Sequence, residues 1–182
     1  DVLVTAPINK NNIQSDSFHF RGHTEYIEEK VGDGNKALMI LMNDTLRVAL
    51  ATTHIPISMV AESINKQVIE EKLRILDHTL KRDFLIDNPR IAVLALNPHC
   101  GDGGVIGTEE RDIITPTIDA LFEDGIKCFG PYAADGFFGS GNYTHFDAIL
   151  AMYHDQGLAR FKALAMDEIE IGRAVQQECR DR

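Results

Sequence analysis

Five short apolar runs, each bounded by turn-forming residues, constrain the fold of this chain more than any other feature. They lie at residues 37–42, 46–51, 91–96, 126–129 and 148–152. Apolar and polar residues hardly alternate within them, which is typical of strands that are covered on both faces. Strands of that kind need helices on both sides of their sheet, so the runs predict an α/β fold.

Two helical patterns lie between the runs. In the first, apolar residues recur every three or four positions and therefore share one face of a long helix. They are Ile69, Leu73, Leu76, Leu80 and Phe84. A second apolar stripe covers residues 114–122, and Gly125 is predicted to end that helix. The runs at 37–42 and 46–51 predict a hairpin, so we expect a mixed sheet with parallel segments.

Composition and charge limit the partners of the chain. Its 182 residues carry 18 Lys and Arg against 28 Asp and Glu, and this net charge of −10 argues against nucleic acid as the main partner. The apolar run at 91–96 is too short to cross a bilayer. Cys100, Cys128 and Cys179 form no C-x-x-C pair, which is typical of a reducing cytoplasm. We therefore expect a cytoplasmic globular protein that binds small molecules or copies of itself.

Three histidines each follow a predicted strand within three residues of its end. They are His54, His99 and His154, after the runs at 46–51, 91–96 and 148–152. Open α/β sheets form their ligand sites at the carboxyl ends of their strands. Three imidazoles at one edge can bind a divalent metal and leave coordination positions open for a substrate. The pattern favours a metal site over the alternative, which is three unrelated loop histidines.

Two further segments have two interpretations each. Residues 22–25 open a short helix, where His23 and Thr24 either begin an ordinary helix or contact a bound anion or hydroxyl group. The glycine-rich segment at 101–107 is not a dinucleotide fingerprint, because Ile106 takes the place of the third glycine of G-x-G-x-x-G. This segment either brings backbone N–H groups to a phosphate or forms only a tight turn.

The polar residues after the run at 148–152 also favour a site. His154 and Asp155 follow a buried strand directly, and burying them without partners would be costly. Lys162 lies eight residues after His154, where it could reach an anionic group of a substrate. A lysine of this kind is more often simply solvated.

Several of these segments, in the same order along the chain, resemble the 4-hydroxythreonine-4-phosphate dehydrogenase family of vitamin B6 biosynthesis. They are residues 4–10, 22–25, 46–54, 97–107 and 151–157. The resemblance implies an α/β fold like that of isocitrate and isopropylmalate dehydrogenases, with two lobes and a mixed, largely parallel sheet. It also implies a homodimer whose active sites lie at the subunit interface, with His54 and His99 from one subunit and His154 from the other.

The resemblance assigns roles to individual residues. It implies a divalent metal (zinc, magnesium or cobalt), a set of substrate contacts and acidic residues that serve as candidate proton acceptors. The positions are His54, His99 and His154 for the metal, His23, Thr24 and Lys162 for the substrate, and Asp155 and Asp135 for catalysis. No residue is assigned to the nicotinamide cofactor.

The implied reaction begins with oxidation of the secondary alcohol of 4-phosphooxy-L-threonine by NAD or NADP. Loss of CO2 then gives 3-amino-2-oxopropyl phosphate for the synthesis of pyridoxal 5′-phosphate. A paralogue that oxidises D-threonate or D-erythronate 4-phosphate would carry the same metal and phosphate residues. A metal-dependent hydrolase and a non-catalytic scaffold are the more distant alternatives.

The resemblance does not extend over the whole chain. Residues 1–165 are interpreted as the central α/β part of a longer two-lobed dehydrogenase. Residues 166–182 are interpreted as an atypical helical tail that joins on across missing residues, because their charged sequence does not match the family. The chain also begins inside an apparent strand, so we expect missing structure next to Asp1 or Asp167.

Overall fold

The computed structural model describes residues 23–31 and 36–165, without the side chains of residues 23–25, 31 and 165. Its contacts divide the chain into two units, residues 1–37 and 38–182. In the first unit, helix α1 spans His23–Val31, as the sequence predicts. The Glu28 carboxylate of α1 accepts a hydrogen bond from the Ala37 backbone N–H at 2.9 Å. The predicted tail at 166–182 lies outside the described residues.

The second unit is built on a five-stranded sheet. Its strands are β1 (Ile40–Met42), β2 (Arg47–Leu50), β3 (Ile91–Leu94), β4 (Cys128–Tyr132) and β5 (Ala148–Ala151). They are arranged in the order β1-β2-β5-β3-β4. The β1–β2 pair is the predicted antiparallel hairpin, and every other pair is parallel. The predicted mixed α/β sheet is therefore confirmed.

Helices cover both faces of this sheet. They are α2 (Val60–Ser63), α3 (Lys66–Arg82), α4 (Thr115–Glu123), α5 (Ala134–Gly139) and α6 (His154–Ala165). Successive residues of β3 enter opposite cores: Ile91 and Val93 pack with α3 and α4, whereas Ala92 and Leu94 pack with α5 and α6. Both faces of the strand are buried, which explains why its sequence is continuously apolar.

Helix α3 shows how the apolar stripe is used. Its side chains Ile69, Leu73, Leu76 and Leu80 are fully buried against the sheet. Asn65 caps the helix, since its side-chain oxygen accepts from the Val68 N–H at 3.0 Å. With 17 residues, α3 is the longest helix within the described ranges 23–31 and 36–165. No helix within these ranges is long and apolar enough to cross a membrane.

Strand β4 begins two residues later than the apolar run predicts. Gly125, with φ of 91°, ends α4 as predicted, and its N–H donates to the Phe122 carbonyl at 3.0 Å. The Ile126 N–H donates to the Leu121 carbonyl at 2.9 Å, which completes a Schellman cap. Because the helix cap uses the Ile126 N–H, the strand starts only at Cys128.

Cys128 makes stability depend on pH. Burial raises the pKa of this thiol to about 11, from an ordinary value near 9. The unfolded chain therefore releases this proton at lower pH than the folded chain does. We expect the free energy of unfolding to fall between about pH 9 and pH 11, by roughly 2 kcal/mol from this group. Urea denaturation at several pH values measures the slope, and Cys128→Ala is expected to remove that share of it. An unchanged slope in the variant would contradict the assignment.

Candidate active site at the carboxyl edge of the sheet

The three neighbouring parallel strands β2, β5 and β3 end at the same edge of the sheet. A candidate histidine follows each of them. His54 lies in the loop after β2, His154 is the first residue of α6 after β5, and His99 lies in the turn Pro98–Gly104 after β3. This edge is where parallel α/β sheets bind their ligands.

Side-chain hydrogen bonds join the three strand ends. The Thr52 hydroxyl donates to the Met152 carbonyl at 2.7 Å. The Gln156 side chain accepts from the Met152 N–H at 2.8 Å and donates to the Ala95 carbonyl at 2.7 Å. The β2, β5 and β3 ends are thus held in fixed register below the histidines. Sequence reasoning missed Gln156, and the signal for it was a polar residue soon after a buried strand.

His54 and His154 form a pair at this edge. Their ring centroids are 5.6 Å apart, and the ring planes are inclined by 45°. His154 Nδ1 lies 2.7 Å from Asp155 Oδ1, and the Asp155 side chain is 86% exposed. A carboxylate on Nδ1 fixes the orientation of the ring and leaves Nε2 as the nitrogen that can bind a metal or accept a proton.

The described part of one chain supplies only some of the predicted metal ligands. Within it, no three or more His, Cys, Asp or Glu side chains come close enough together to hold a metal ion. The geometry brings His54 together with His154 and does not add His99 to them. His54 and His154 are neighbours in the same chain, and the predicted division of the site, with His54 and His99 in one subunit and His154 in the other, stays a prediction. Their chemistry fits two imidazole ligands of a divalent ion that takes further ligands from elsewhere.

The remaining predicted residues are spread over several elements. Asp135 is exposed in the first turn of α5, which follows β4 at the same edge. Lys162 is half-buried on α6, eight residues after His154 and therefore about 12 Å further along the helix axis. His23 and Thr24 begin α1 in the first unit, and their side chains lie outside the described residues.

The turn that carries His99 has an unusual backbone. His99, Cys100 and Asp102 have φ values of 50°, 53° and 44°, so three residues with side chains adopt the left-handed conformation. This conformation costs roughly 1–2 kcal/mol for each such residue. Residues held in it are frequent at functional sites, where surrounding contacts enforce them. The glycine-rich segment thus forms a tight turn, and the contact of its backbone N–H groups with a phosphate stays a prediction.

Cys100, next to His99, is a neutral thiol rather than a nucleophile. Burial raises the pKa of Cys100, and the negative charge of Glu110 raises it further. Its Sγ lies 3.5 Å from the Pro131 carbonyl oxygen. Reactive cysteines have a lowered pKa, so this one is unsuited to covalent catalysis.

Comparison with known proteins identifies the family. The profile described as pyridoxal phosphate biosynthetic protein PdxA matches residues 1–175. The chain belongs to the PdxA family. A curated relative from Bacteroides thetaiotaomicron, named 4-hydroxythreonine-4-phosphate dehydrogenase, is 66% identical over 168 residues, which are 92% of this chain and 46% of the relative. A relative of the same name from Chromobacterium violaceum is 48% identical over 160 residues, 88% of this chain and 48% of that protein. The chain thus spans about half the length of the curated relatives it matches.

Solved structures of the PdxA family share this fold. The crystal structure of 4-hydroxythreonine-4-phosphate dehydrogenase from Klebsiella pneumoniae matches with a TM-score of 0.80 and 33% identity, over 87% of this chain and 47% of that one. A terephthalate 1,2-cis-dihydrodiol dehydrogenase from Burkholderia xenovorans matches with a TM-score of 0.63 and 31% identity, over 69% and 40%. Dehydrogenases with different named substrates therefore share this architecture.

Proposed function

We propose that the protein containing this chain oxidises 4-phosphooxy-L-threonine with NAD or NADP. The keto acid formed then loses CO2 to give 3-amino-2-oxopropyl phosphate, a precursor of pyridoxal 5′-phosphate. The observation that carries the proposal is the placement of His54, His99 and His154 after the neighbouring strands β2, β3 and β5, at the carboxyl edge of the sheet. The substrate is proposed from the name of the relative that is 66% identical.

A divalent metal is proposed between subunits of a homodimer. His54 and His99 of one chain would hold it, and His154 of a second copy would complete the site. Asp155 keeps the His154 ring in a binding orientation through the 2.7 Å contact with Nδ1. When bound, a metal such as zinc, magnesium or cobalt supplies Lewis acidity, which lowers the pKa of the substrate hydroxyl and stabilises negative charge as CO2 leaves.

The chain's own residues would bind the substrate and move its proton. Lys162 contacts the anionic end of the substrate, while His23 and Thr24 contact its phosphate or hydroxyl groups. Asp155 and Asp135 are the proposed proton acceptors, and both carboxylates are exposed.

The cellular setting follows from the same proposal. Cys100 and Cys128 are both free thiols, which suits a reducing cytoplasm. The proposed partners are a small phosphorylated hydroxy acid, the nicotinamide cofactor and a second subunit. Nucleic acid and membranes are not among them.

A direct assay tests the proposed reaction. The protein expressed from its complete reading frame is incubated with NAD or NADP and one of three substrates: 4-phosphooxy-L-threonine, D-threonate 4-phosphate or D-erythronate 4-phosphate. Absorbance of the reduced nicotinamide is expected to rise fastest with the first substrate. A faster rise with either of the other two would transfer the assignment to the paralogous reaction. Hydrolysis without cofactor reduction would favour the hydrolase.

Lys162→Ala tests the substrate contact. Loss of a hydrogen bond to a charged group is expected to raise KM about 10- to 100-fold. Arg160→Ala is the matched control, because Arg160 is an exposed cation on the same helix that points to another side of it. Equal KM values for both variants would contradict the proposed contact between Lys162 and the substrate.

A further inference from the structure

A buried carboxylate below the His99 turn has no part in the site described so far. Glu110 is only 4% exposed and begins the single π-helical turn Glu110–Ile114 that precedes α4. Both of its carboxylate oxygens accept hydrogen bonds from one residue, Asn97. Oε1 accepts from the Asn97 backbone N–H at 2.6 Å, and Oε2 accepts from Asn97 Nδ2 at 2.9 Å. Glu109 Oε2 also accepts from Asn97 Nδ2, at 2.7 Å.

The glycine-rich segment closes around this carboxylate. A Cβ on Gly101 would lie 2.8 Å from Glu110 Oε2 and would overlap the Gly107 carbonyl oxygen. A Cβ on Gly107 would overlap the Asn97 side-chain amide. Gly101 and Gly107 therefore both pack directly against the Glu110–Asn97 pair. Glycine is needed at both positions because the backbone approaches so closely.

His99 lies between two of these contact points. Asn97 is bonded to Glu110 on one side of it, and Gly101 packs against Glu110 on the other. The left-handed backbone of His99, Cys100 and Asp102 is unfavourable by itself, so surrounding contacts must hold it. We propose that Glu110 is the positioning residue that holds this left-handed turn and thereby fixes where His99 is presented. The proposal rests on the proposed function in so far as His99 is a metal ligand.

The polarity of the Glu110–Asn97 contact gives a sharp test. Asn97 offers two donors, and a glutamine at position 110 can accept only one of them. Glu110→Gln is therefore expected to lower kcat about 10- to 100-fold with little change in KM. Asp77→Asn is the matched control, because Asp77 is another buried carboxylate, on α3, and is bonded to Lys81 at 2.8 Å. It is expected to leave kcat unchanged.

Inverting the whole contact distinguishes positioning from mere stability. In Glu109→Gln/Glu110→Gln, two amides face the Asn97 amide. Adding Asn97→Asp turns the side-chain donor into an acceptor, so the two side-chain hydrogen bonds form again with reversed polarity, while the amide oxygen at position 110 still accepts from the backbone N–H of residue 97. We expect the triple variant to recover kcat to within about threefold of the wild type, whereas the double variant stays low. Failure of the triple variant to exceed the double variant would overturn the proposal.

Hydrogen exchange supplies a readout that needs no activity. Backbone amides of residues 97–107 are expected to exchange faster in Glu110→Gln, while those of α3 keep wild-type protection. Unchanged exchange across 97–107 would overturn the proposal, as would a normal kcat alongside faster exchange. A wild-type protein that oxidises none of the substrates would refute the proposed function instead, and the exchange measurement would still decide whether Glu110 holds the turn.

Discussion

Mixing two inactive histidine variants is expected to restore activity when the two mutated histidines come from different subunits, and not when they come from the same one. The proposed metal site takes His54 and His99 from one subunit and His154 from the other. Each single alanine variant is expected to lose most of its activity, because every one of its sites lacks a ligand.

Co-refolding His54→Ala with His154→Ala in equal amounts is the productive mixture. In a mixed dimer, one site lacks both ligands and the other has all three. Half of the dimers are mixed, so activity is expected to recover to about a quarter of the wild type. The assay is cofactor reduction, measured after heterodimers have been demonstrated with two affinity tags.

Co-refolding His54→Ala with His99→Ala is the matched control. These two histidines are proposed to come from the same chain, so each site of a mixed dimer lacks one of them. No recovery is expected. Recovery here, without recovery in the first mixture, would instead place His54 and His154 in one subunit and His99 in the other. Recovery in neither would place all three histidines within one chain.

The contact between α6 and the sheet gives the second large effect. Gly157 lies one turn after His154, and a Cβ there would come within 2.9 Å of both Leu50 Cδ2 and Val48 Cγ1 and within 3.0 Å of Ala151 Cβ. Gly157→Val is expected to lower the free energy of unfolding by about 2–3 kcal/mol, because the core around it is fully packed. It should also lower kcat, since α6 must move away from the sheet and takes His154 with it.

Two alanine variants separate packing from helix propensity in this prediction. Alanine is favoured over glycine in helices by up to about 1 kcal/mol. Gly136 in α5 has open space where its Cβ would be, so Gly136→Ala is expected to be neutral or stabilising. Gly157→Ala, compared with it by chemical denaturation, should be clearly less stable. Equal stabilities would show that α6 can move without cost.

The strands and the long helix could be predicted because burial on both faces leaves a strong local pattern. The buried leucine and isoleucine stripe of α3 and the Gly125 cap of α4 agree with the predictions made from the sequence. The start of β4 did not, because the Ile126 N–H is used by a helix cap that the apolar run does not reveal.

The pairing at the site could not be predicted from spacing. His54 and His99 follow β2 and β3, which are consecutive strands along the chain. In the sheet, however, β5 lies between β2 and β3. The sheet order therefore puts the His154 ring beside His54. Glu110 was equally hidden, because it stands in a run of charged residues at 109–112 that is typical of a solvated surface.

The insertion of β5 also has a consequence for synthesis on the ribosome. Translation delivers β1 with β2 and then β3 with β4, which leaves two half-sheets, each with an open, apolar edge. Residues 148–151 form the strand that joins them, through pairs with both β2 and β3. Until that segment leaves the exit tunnel, each half-sheet exposes a strand edge with unpaired backbone N–H and C=O groups, which a chaperone or another nascent chain can bind.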